Sequence, residues 1–278
     1  MVVSHRAPLR QRDIRVEKPS LRALPPQAGS DDPEVRASVE LQLLGSFGLL
    51  IDDRAVRTLP HLQRLIAFLA VHERPLHRAY VSGRLWIDKN QEQANGSLRT
   101  TLWRLQRLPR PIVEVSTTHL ALHPSVVVDV RQLASSTRRA LRGEPLSRDD
   151  VERLVAADDL LVDCYEDWVL DERDQLRQQL VLALEAACLQ LLAEERHAEA
   201  VMAALAAMSG DRLRESSVRV LIEAHSATGN FAEALRRYDT FRAELATRFR
   251  LEPSGQLTRL VESIAPGYQA AHELSLTT

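Results

Sequence analysis

Polar and basic side chains recur along residues 91–107 at spacings that place them on one side of an α-helix, opposite Leu98, Leu102 and Leu105. A helix fits the major groove of duplex DNA, where Arg pairs with guanine, Gln pairs with adenine, and Ser and Thr reach phosphate. The same pattern also fits a helix face that is merely solvated. The side chains that we predict to contact DNA from this helix are Gln93, Ser97, Arg99, Thr100, Arg104 and Arg107.

A second predicted contact lies beyond this helix. Residues 112–116 and 119–123 alternate apolar and polar side chains on either side of Thr117-Thr118, which indicates a β-hairpin. His119 follows the turn and Arg110 precedes the hairpin, so both are predicted to reach the sugar-phosphate backbone in the neighbouring minor groove. His119 and His123 share one strand face with no third ligand nearby, and we therefore predict no metal site there.

The elements that must position these residues begin at Val39. Residues 39–45 and 47–51 read as short strands that end at the Asp52-Asp53 turn. A helix over residues 61–72, closed by Pro75, and a short helix over 78–86 follow. The third helix is predicted over residues 90–108, with Asn90 as its N-cap and Gln93 completing a capping box. Strands, three helices and a terminal hairpin predict an α+β winged helix.

The second half of the chain has helical periodicity from Val130 onward and predicts an all-α domain. The run His197-Ala198-Glu199-Ala200 recurs as Phe231-Ala232-Glu233-Ala234, 34 residues later. That offset is the period of a tetratricopeptide helix pair, so we expect tetratricopeptide-like helical repeats here.

The near-neutral net charge of −2 conceals an asymmetry between the two halves. Residues 38–130 hold 11 basic and 8 acidic side chains, whereas residues 131–278 hold 18 basic and 25 acidic ones. The first half is therefore suited to approach phosphate. Residues 1–37 contain five prolines and no apolar periodicity, and we predict a flexible arm there.

Several function classes are disfavoured by what the sequence lacks. It contains no phosphate-binding loop, HExxH, GxSxG or GxGxxG motif, so we predict neither an enzyme nor a cofactor. Cys164 and Cys188 have no neighbours at metal-ligand spacing and fit small buried residues of a reducing cytoplasm. The sequence shows no signal peptide and no uninterrupted apolar span, which argues against a membrane protein.

Four segments give the chain a family resemblance. The run GSLRTTLWRLQRL followed by a hairpin resembles the OmpR-type winged helix of the Streptomyces antibiotic regulatory proteins, abbreviated SARP. YEDWVLDERDQLRQQLVLALE, GNFAEALRRYDTFRAEL and FRLEPSGQLTRL resemble the bacterial transcriptional activation domain (BTAD) that follows the winged helix in that family. Two features depart from the family pattern, namely the long N-terminal arm and Thr117-Thr118, where a glycine is often found.

The resemblance implies a cytoplasmic, nucleoid-associated activator of a secondary-metabolite (antibiotic) biosynthesis cluster. It implies binding to direct repeats in double-stranded DNA as a side-by-side homodimer, and contact with the sigma factor and core subunits of RNA polymerase. It matches recognition-helix positions to Ser97, Arg99, Thr100 and Arg104, with Arg107 toward the phosphate backbone.

The predicted domains are an arm (1–37), a winged helix (38–127), a helical BTAD (128–265) and a tail (266–278). Two alternatives stay open. One is a protein-interaction scaffold whose winged helix binds no DNA, and the other is a repressor that uses the same DNA contacts.

Overall fold

The computed structural model describes residues 38–266, and the predictions of a flexible arm over 1–37 and a tail beyond 266 lie outside these residues. The chain begins with strands β1 (Val39–Gln42), β2 (Gly48–Ile51) and β3 (Arg54–Ala55), which form an antiparallel meander. Val39 and Leu41 of β1 point into the core while the residues between them face outward, as the alternating pattern predicts. Asp52 and Asp53 take left-handed conformations (φ 49° and 61°), which two-residue hairpin turns require.

A fourth strand that the sequence analysis missed completes this sheet. Strand β7 (Val126–Val128) pairs in parallel with β1, with Val39 opposite Val126, and gives the order β3-β2-β1-β7. The run Val126-Val127-Val128 is only three residues long, and periodicity cannot separate so short an apolar run from the start of a helix.

The predicted helices of the first half are present with small shifts at their ends. Helix α1 (Pro60–Val71) starts on a proline, which is favourable at this position because the first helical N–H groups have no intrahelical acceptor. Helices α2 (Arg78–Leu85) and α3 (Gln91–Leu105) follow. Helix α3 ends three residues before the predicted Leu108, because the chain tightens into turns ahead of Pro109.

A second small sheet follows α3. Strands β5 (Val113–Val115) and β6 (His119–Leu122) form the predicted hairpin, and β4 (Leu76–His77) adds to the other edge of β6. The two-residue strand β4 was not predicted. It ties the start of α2 to the hairpin, since the Arg78 N–H donates to the Thr118 carbonyl at 2.8 Å.

The remaining described elements are helical, as predicted. We call residues 38–128 the N-terminal half and residues 129–266 the helical half. The helices of the latter are α4 (Asp129–Leu141), α5 (Arg148–Val155), α6 (Asp167–Ala193), α7 (His197–Gly210), α8 (Glu215–Ala227), α9 (Phe231–Phe249) and α10 (Gly255–Ile264). The two copies of the repeated tetrapeptide start α7 and α9, so each copy occupies the same position in its helix.

Helix α6 is long and apolar enough to cross a membrane by length and composition, which is weak evidence because core helices pass the same test. Several of its side chains are fully buried in the core of the helical half, among them Ala183, Leu184 and Leu191. The apolar composition of α6 therefore reflects the packing of its side chains in this core.

The two halves share a hydrophobic core. Phe68 of α1 packs edge-on against Trp168 of α6 with ring centroids 5.1 Å apart, and Leu160 and Leu161 belong to the same cluster of buried side chains. Leu44 and Leu160 form an isolated β-bridge between the halves. The proposed division near residue 127 therefore falls inside a continuous packed body rather than in a linker.

Polar contacts reinforce this junction. The Asp129 carboxylate accepts hydrogen bonds from the N–H groups of Leu43 and Leu44, both at 2.9 Å for Oδ2. The Arg131 guanidinium donates to the carbonyls of Ala70 (2.9 Å) and His72 (3.2 Å), which end α1. Because these acceptors lie at the end of a helix, Arg131 satisfies carbonyls that have no partner within the helix.

Candidate nucleic-acid interface

Helix α3 is held so that one face is buried and the other is presented to solvent. The Asn90 side chain accepts a hydrogen bond from the Gln93 N–H at 2.9 Å, which is the first half of the predicted capping box. Ala94, Leu98, Leu102 and Leu105 are 1–5 % exposed and anchor the helix from within. Thr101 is buried beside them and donates its hydroxyl to the Ser97 carbonyl. The leucine stripe thus fixes which side chains face outward.

We call the outward side chains the α3 face: Gln93, Ser97, Arg99, Thr100, Arg104 and Arg107. All are exposed except Ser97, which is half-buried. Among the described residues, no ion pair joins Arg99, Arg104 or Arg107 to a carboxylate. The arginines of this face are therefore not neutralised by the acidic helical half.

A shallow groove runs along this face. It lies between α3, the first turn of α1 and the α2–α3 connection, and it has a volume of 690 Å³. His61, Trp86 and Lys89 line it opposite the α3 side chains. Lys89 Nζ donates to Ser97 Oγ at 2.8 Å, so a second cation lies within the groove.

His61 fixes one arginine of the face. The distance between Arg104 Nη1 and His61 Nε2 is 3.1 Å. Partial burial and the positive charge of Arg104 lower the pKa of His61 below its ordinary value. The ring is therefore neutral at pH 7, and its Nε2 can accept from the guanidinium.

Arg107 is held in a different way. Its guanidinium stacks over the Trp103 ring at 3.6 Å from the centroid, while Trp103 is 51 % exposed. A cation–π contact orders the arginine without neutralising its charge. Trp103 thus supports Arg107 at the end of the face.

Gly96 lies among these residues without a packing reason inside the chain. A Cβ atom built there would meet only Arg99 Nη2, at 3.9 Å, which is an ordinary contact. Glycine within a helix costs about 1 kcal/mol relative to alanine. Packing within the described residues therefore does not require glycine at this position.

The hairpin places His119 beside its turn, where its side chain is exposed. His119 Nδ1 lies 2.9 Å from Thr118 Oγ1, and its ring lies 5.4 Å from that of His77. Ser116 Oγ accepts from the N–H groups of Thr118 (3.3 Å) and His119 (2.8 Å). These bonds close the turn without a left-handed residue, which explains why no glycine is needed.

Arg110 is the one predicted contact that the structure directs elsewhere. Its Nε donates to Asp52 Oδ2 at 3.3 Å, so its guanidinium is engaged with the β2–β3 turn. The expectation that it reaches DNA backbone beside the hairpin is not supported by this position. The sequence analysis did not predict that His61 and Lys89 line this groove. Neither residue lies on α3, and their spacing in the sequence does not indicate that they contact it.

Comparison with known proteins bears on both halves. Residues 130–265 match the family described as the bacterial transcriptional activator domain. Among solved structures, the chain is similar to Mycobacterium tuberculosis EmbR in complex with a low-affinity phosphopeptide, with a TM-score of 0.64 and 22 % identity. That match covers 82 % of this chain and 65 % of the EmbR chain, and at this identity it shows a shared fold. No curated protein sequence matches.

The helical half thus matches the bacterial transcriptional activator domain over nearly its whole length. This match supports the resemblance to SARP-type regulators that the sequence motifs predict. The fold is rich in helix, with its small sheets at the N-terminal end of the described residues.

Proposed function

We propose that this chain activates transcription by binding duplex DNA in a sequence-specific manner. In this proposal the N-terminal half is an OmpR-type winged helix whose α3 enters the major groove, while the β5–β6 hairpin is the wing beside the neighbouring minor groove. The observation that carries the proposal is the α3 face, which presents three arginines to solvent on a helix anchored by buried leucines.

The contacts can be divided by role. Arg99 and Arg104 are the proposed base-reading residues, since a guanidinium pairs with guanine through two hydrogen bonds. Gln93 can read adenine, whereas Ser97, Thr100, Arg107 and His119 are placed to bind phosphate and set the register.

The helical half is the proposed activator portion. Its helices α7 to α10 form tetratricopeptide-like pairs in this proposal, supported by the 34-residue repeat that starts α7 and α9. We further propose side-by-side homodimers on direct repeats, contact with the sigma factor and core subunits of RNA polymerase, and target genes in an antibiotic biosynthesis cluster. The protein would act in the cytoplasm, associated with the nucleoid.

Binding-site selection from random duplexes, followed by titration of the selected site, tests the central claim. Arg99→Ala and Arg104→Ala are each expected to weaken binding by about 1–3 kcal/mol and to relax the sequence preference at one position. Affinity should also fall with salt, with a slope near −0.9 per phosphate contact. Arg142→Ala, an exposed arginine of the helical half, is the control and should bind like the parent chain.

Two outcomes would favour the alternatives. Failure to select any duplex, together with capture of a protein partner by the chain, indicates an interaction scaffold. A reporter that falls as the protein is expressed indicates a repressor with the same DNA contacts.

A further inference from the structure

A cavity of 580 Å³ lies where the two halves meet, away from the α3 face. One wall comes from the N-terminal half and includes Phe47, Pro60 and Ala67. The other wall comes from residues 161–168 and includes Leu161 and Trp168. Small-molecule sites are typically concave, mostly apolar, of this size, and found at the boundary between domains.

The polar groups in this cavity are few and arranged as a pair. Arg64 Nε donates to Glu166 Oε2 at 2.6 Å, and Trp168 Nε1 donates to the same oxygen at 2.7 Å. Within residues 38–266, neither Glu166 Oε1 nor the terminal guanidinium nitrogens of Arg64 has a hydrogen-bond partner. The Glu166 carboxylate and the Arg64 guanidinium therefore lie side by side, and each can form a further hydrogen bond with a ligand.

The charges in the cavity limit what can bind there. The opposite charges of Arg64 and Glu166 offset each other, and each side chain is 31 % exposed. Asp163 lies at the same cavity, where its carboxylate accepts from Ser46 Oγ at 2.6 Å. A negatively charged ligand would thus meet a carboxylate that no arginine neutralises, and a charged ligand of either sign would disturb the existing ion pair.

We infer that this cavity is a binding site for a neutral aromatic compound that carries a hydrogen-bond acceptor next to a donor. Its acceptor takes a hydrogen bond from Arg64, its donor bonds Glu166 Oε1, and its rings lie beside Trp168 on the apolar wall formed by Pro60 and Ala67. Such a ligand touches both halves at once. The inference does not depend on DNA binding.

The probe that tests this is 3-hydroxy-2-naphthamide, a neutral two-ring compound with adjacent hydroxyl and amide groups. Trp168 lines the cavity and is one of three tryptophans, so Trp86→Phe with Trp103→Phe in the full chain leaves it as the reporter. We expect the probe to change Trp168 fluorescence saturably and to raise the unfolding temperature, since a ligand that binds the folded state stabilises it. The anion 3-hydroxy-2-naphthoate should bind more weakly.

Variants separate this site from general adsorption. Arg64→Met should weaken probe binding about ten-fold, because it removes a charge-assisted hydrogen bond. Gln63→Phe, on the cavity wall, should block binding without removing a charge or adding a second tryptophan. The matched control is Arg84→Met, which breaks another ion pair between the halves, with Asp171 at 3.6 Å, outside the cavity.

Three results would overturn the inference. They are no fluorescence change with the probe at millimolar concentration, probe affinities of Arg64→Met and Gln63→Phe that both equal that of the parent chain, or tighter binding of the naphthoate than of the amide.

Discussion

Arg104 Nη1 lies 3.1 Å from His61 Nε2. A guanidinium has no acceptor, so this contact exists only while the histidine nitrogen is unprotonated. It joins the first turn of α1 to the α3 face and orders an arginine that would otherwise be a mobile exposed side chain. The protonation state of a residue outside α3 thus controls the position of a proposed base-reading residue.

DNA recognition is therefore expected to depend on pH. The pKa of His61 is lowered, so the neutral form and its bond to Arg104 are fully present above the ordinary value near 6.5 and are lost as the pH falls through the lowered pKa. Protonated His61 repels Arg104 but attracts phosphate. The ratio of specific to non-specific affinity should thus fall between pH 7.5 and 5.

The measurement is the affinity for the selected site and for an unrelated duplex across this pH range, at constant ionic strength. His61→Gln offers an acceptor that does not titrate, and it should flatten the pH dependence of the ratio. A ratio that falls equally in His61→Gln would show that other groups cause the effect.

Gly96→Ala is expected to separate stability from DNA binding. The added Cβ meets no close neighbour, so the variant should gain roughly 0.5–1 kcal/mol in free energy of unfolding. If the helix backbone approaches DNA at this point, specific affinity should fall at the same time. Gly83→Ala is the matched control, because Gly83 is an exposed α2 glycine with open space around it. It should gain stability and keep its affinity, and equal affinities for both variants would exclude close approach at Gly96.

Arg131→Met should weaken the junction between the halves. The substitution leaves the carbonyls of Ala70 and His72 without their guanidinium donor, which should cost about 1–3 kcal/mol of unfolding free energy. Urea unfolding followed by tryptophan fluorescence and by circular dichroism measures this cost. The control Arg138→Met removes an exposed ion pair with Glu73, 3.3 Å apart, and should cost at most about 1 kcal/mol. Equal costs would show that the carbonyl contacts of Arg131 contribute no more than a surface charge.

Asp150 should make the helical half sensitive to acid. Burial raises the pKa of this carboxyl, but hydrogen bonds from Ser147 and Ser136 and the charge of Arg139 outweigh it and lower the pKa to about 2. The stabilising charged form is fully present above the ordinary value near 3.8 and is lost as the pH falls through about 2. Asp150→Asn should cost roughly 1–3 kcal/mol at pH 7 and flatten the acid unfolding profile. Asp149→Asn, on the exposed side of the same turn, should leave the profile unchanged.

Periodicity was sufficient to place α3 and its faces, because buried leucines and exposed arginines alternate over four turns. It also predicted the hairpin, the first two strands and the helical second half. It missed the two-residue strand β3, and it also missed β4 and β7, whose two and three residues pair with strands far away in sequence. The contacts of Lys89, His61 and Arg110 depend on how separate elements pack, and no local spacing encodes them.

Strand β7 ends at Val128 and α4 begins at Asp129, so the chain passes from the last strand of the sheet into the first helix of the helical half without an intervening residue. Within the described residues, no flexible linker therefore separates the N-terminal half, which we propose binds the operator, from the helical half, which we propose contacts RNA polymerase. Activation should therefore depend on the face of the DNA helix on which the operator lies relative to the promoter. Moving the operator by half a turn of B-DNA, about 5 base pairs, should abolish activation. Moving it by a full turn, about 10.5 base pairs, should restore part of the activation.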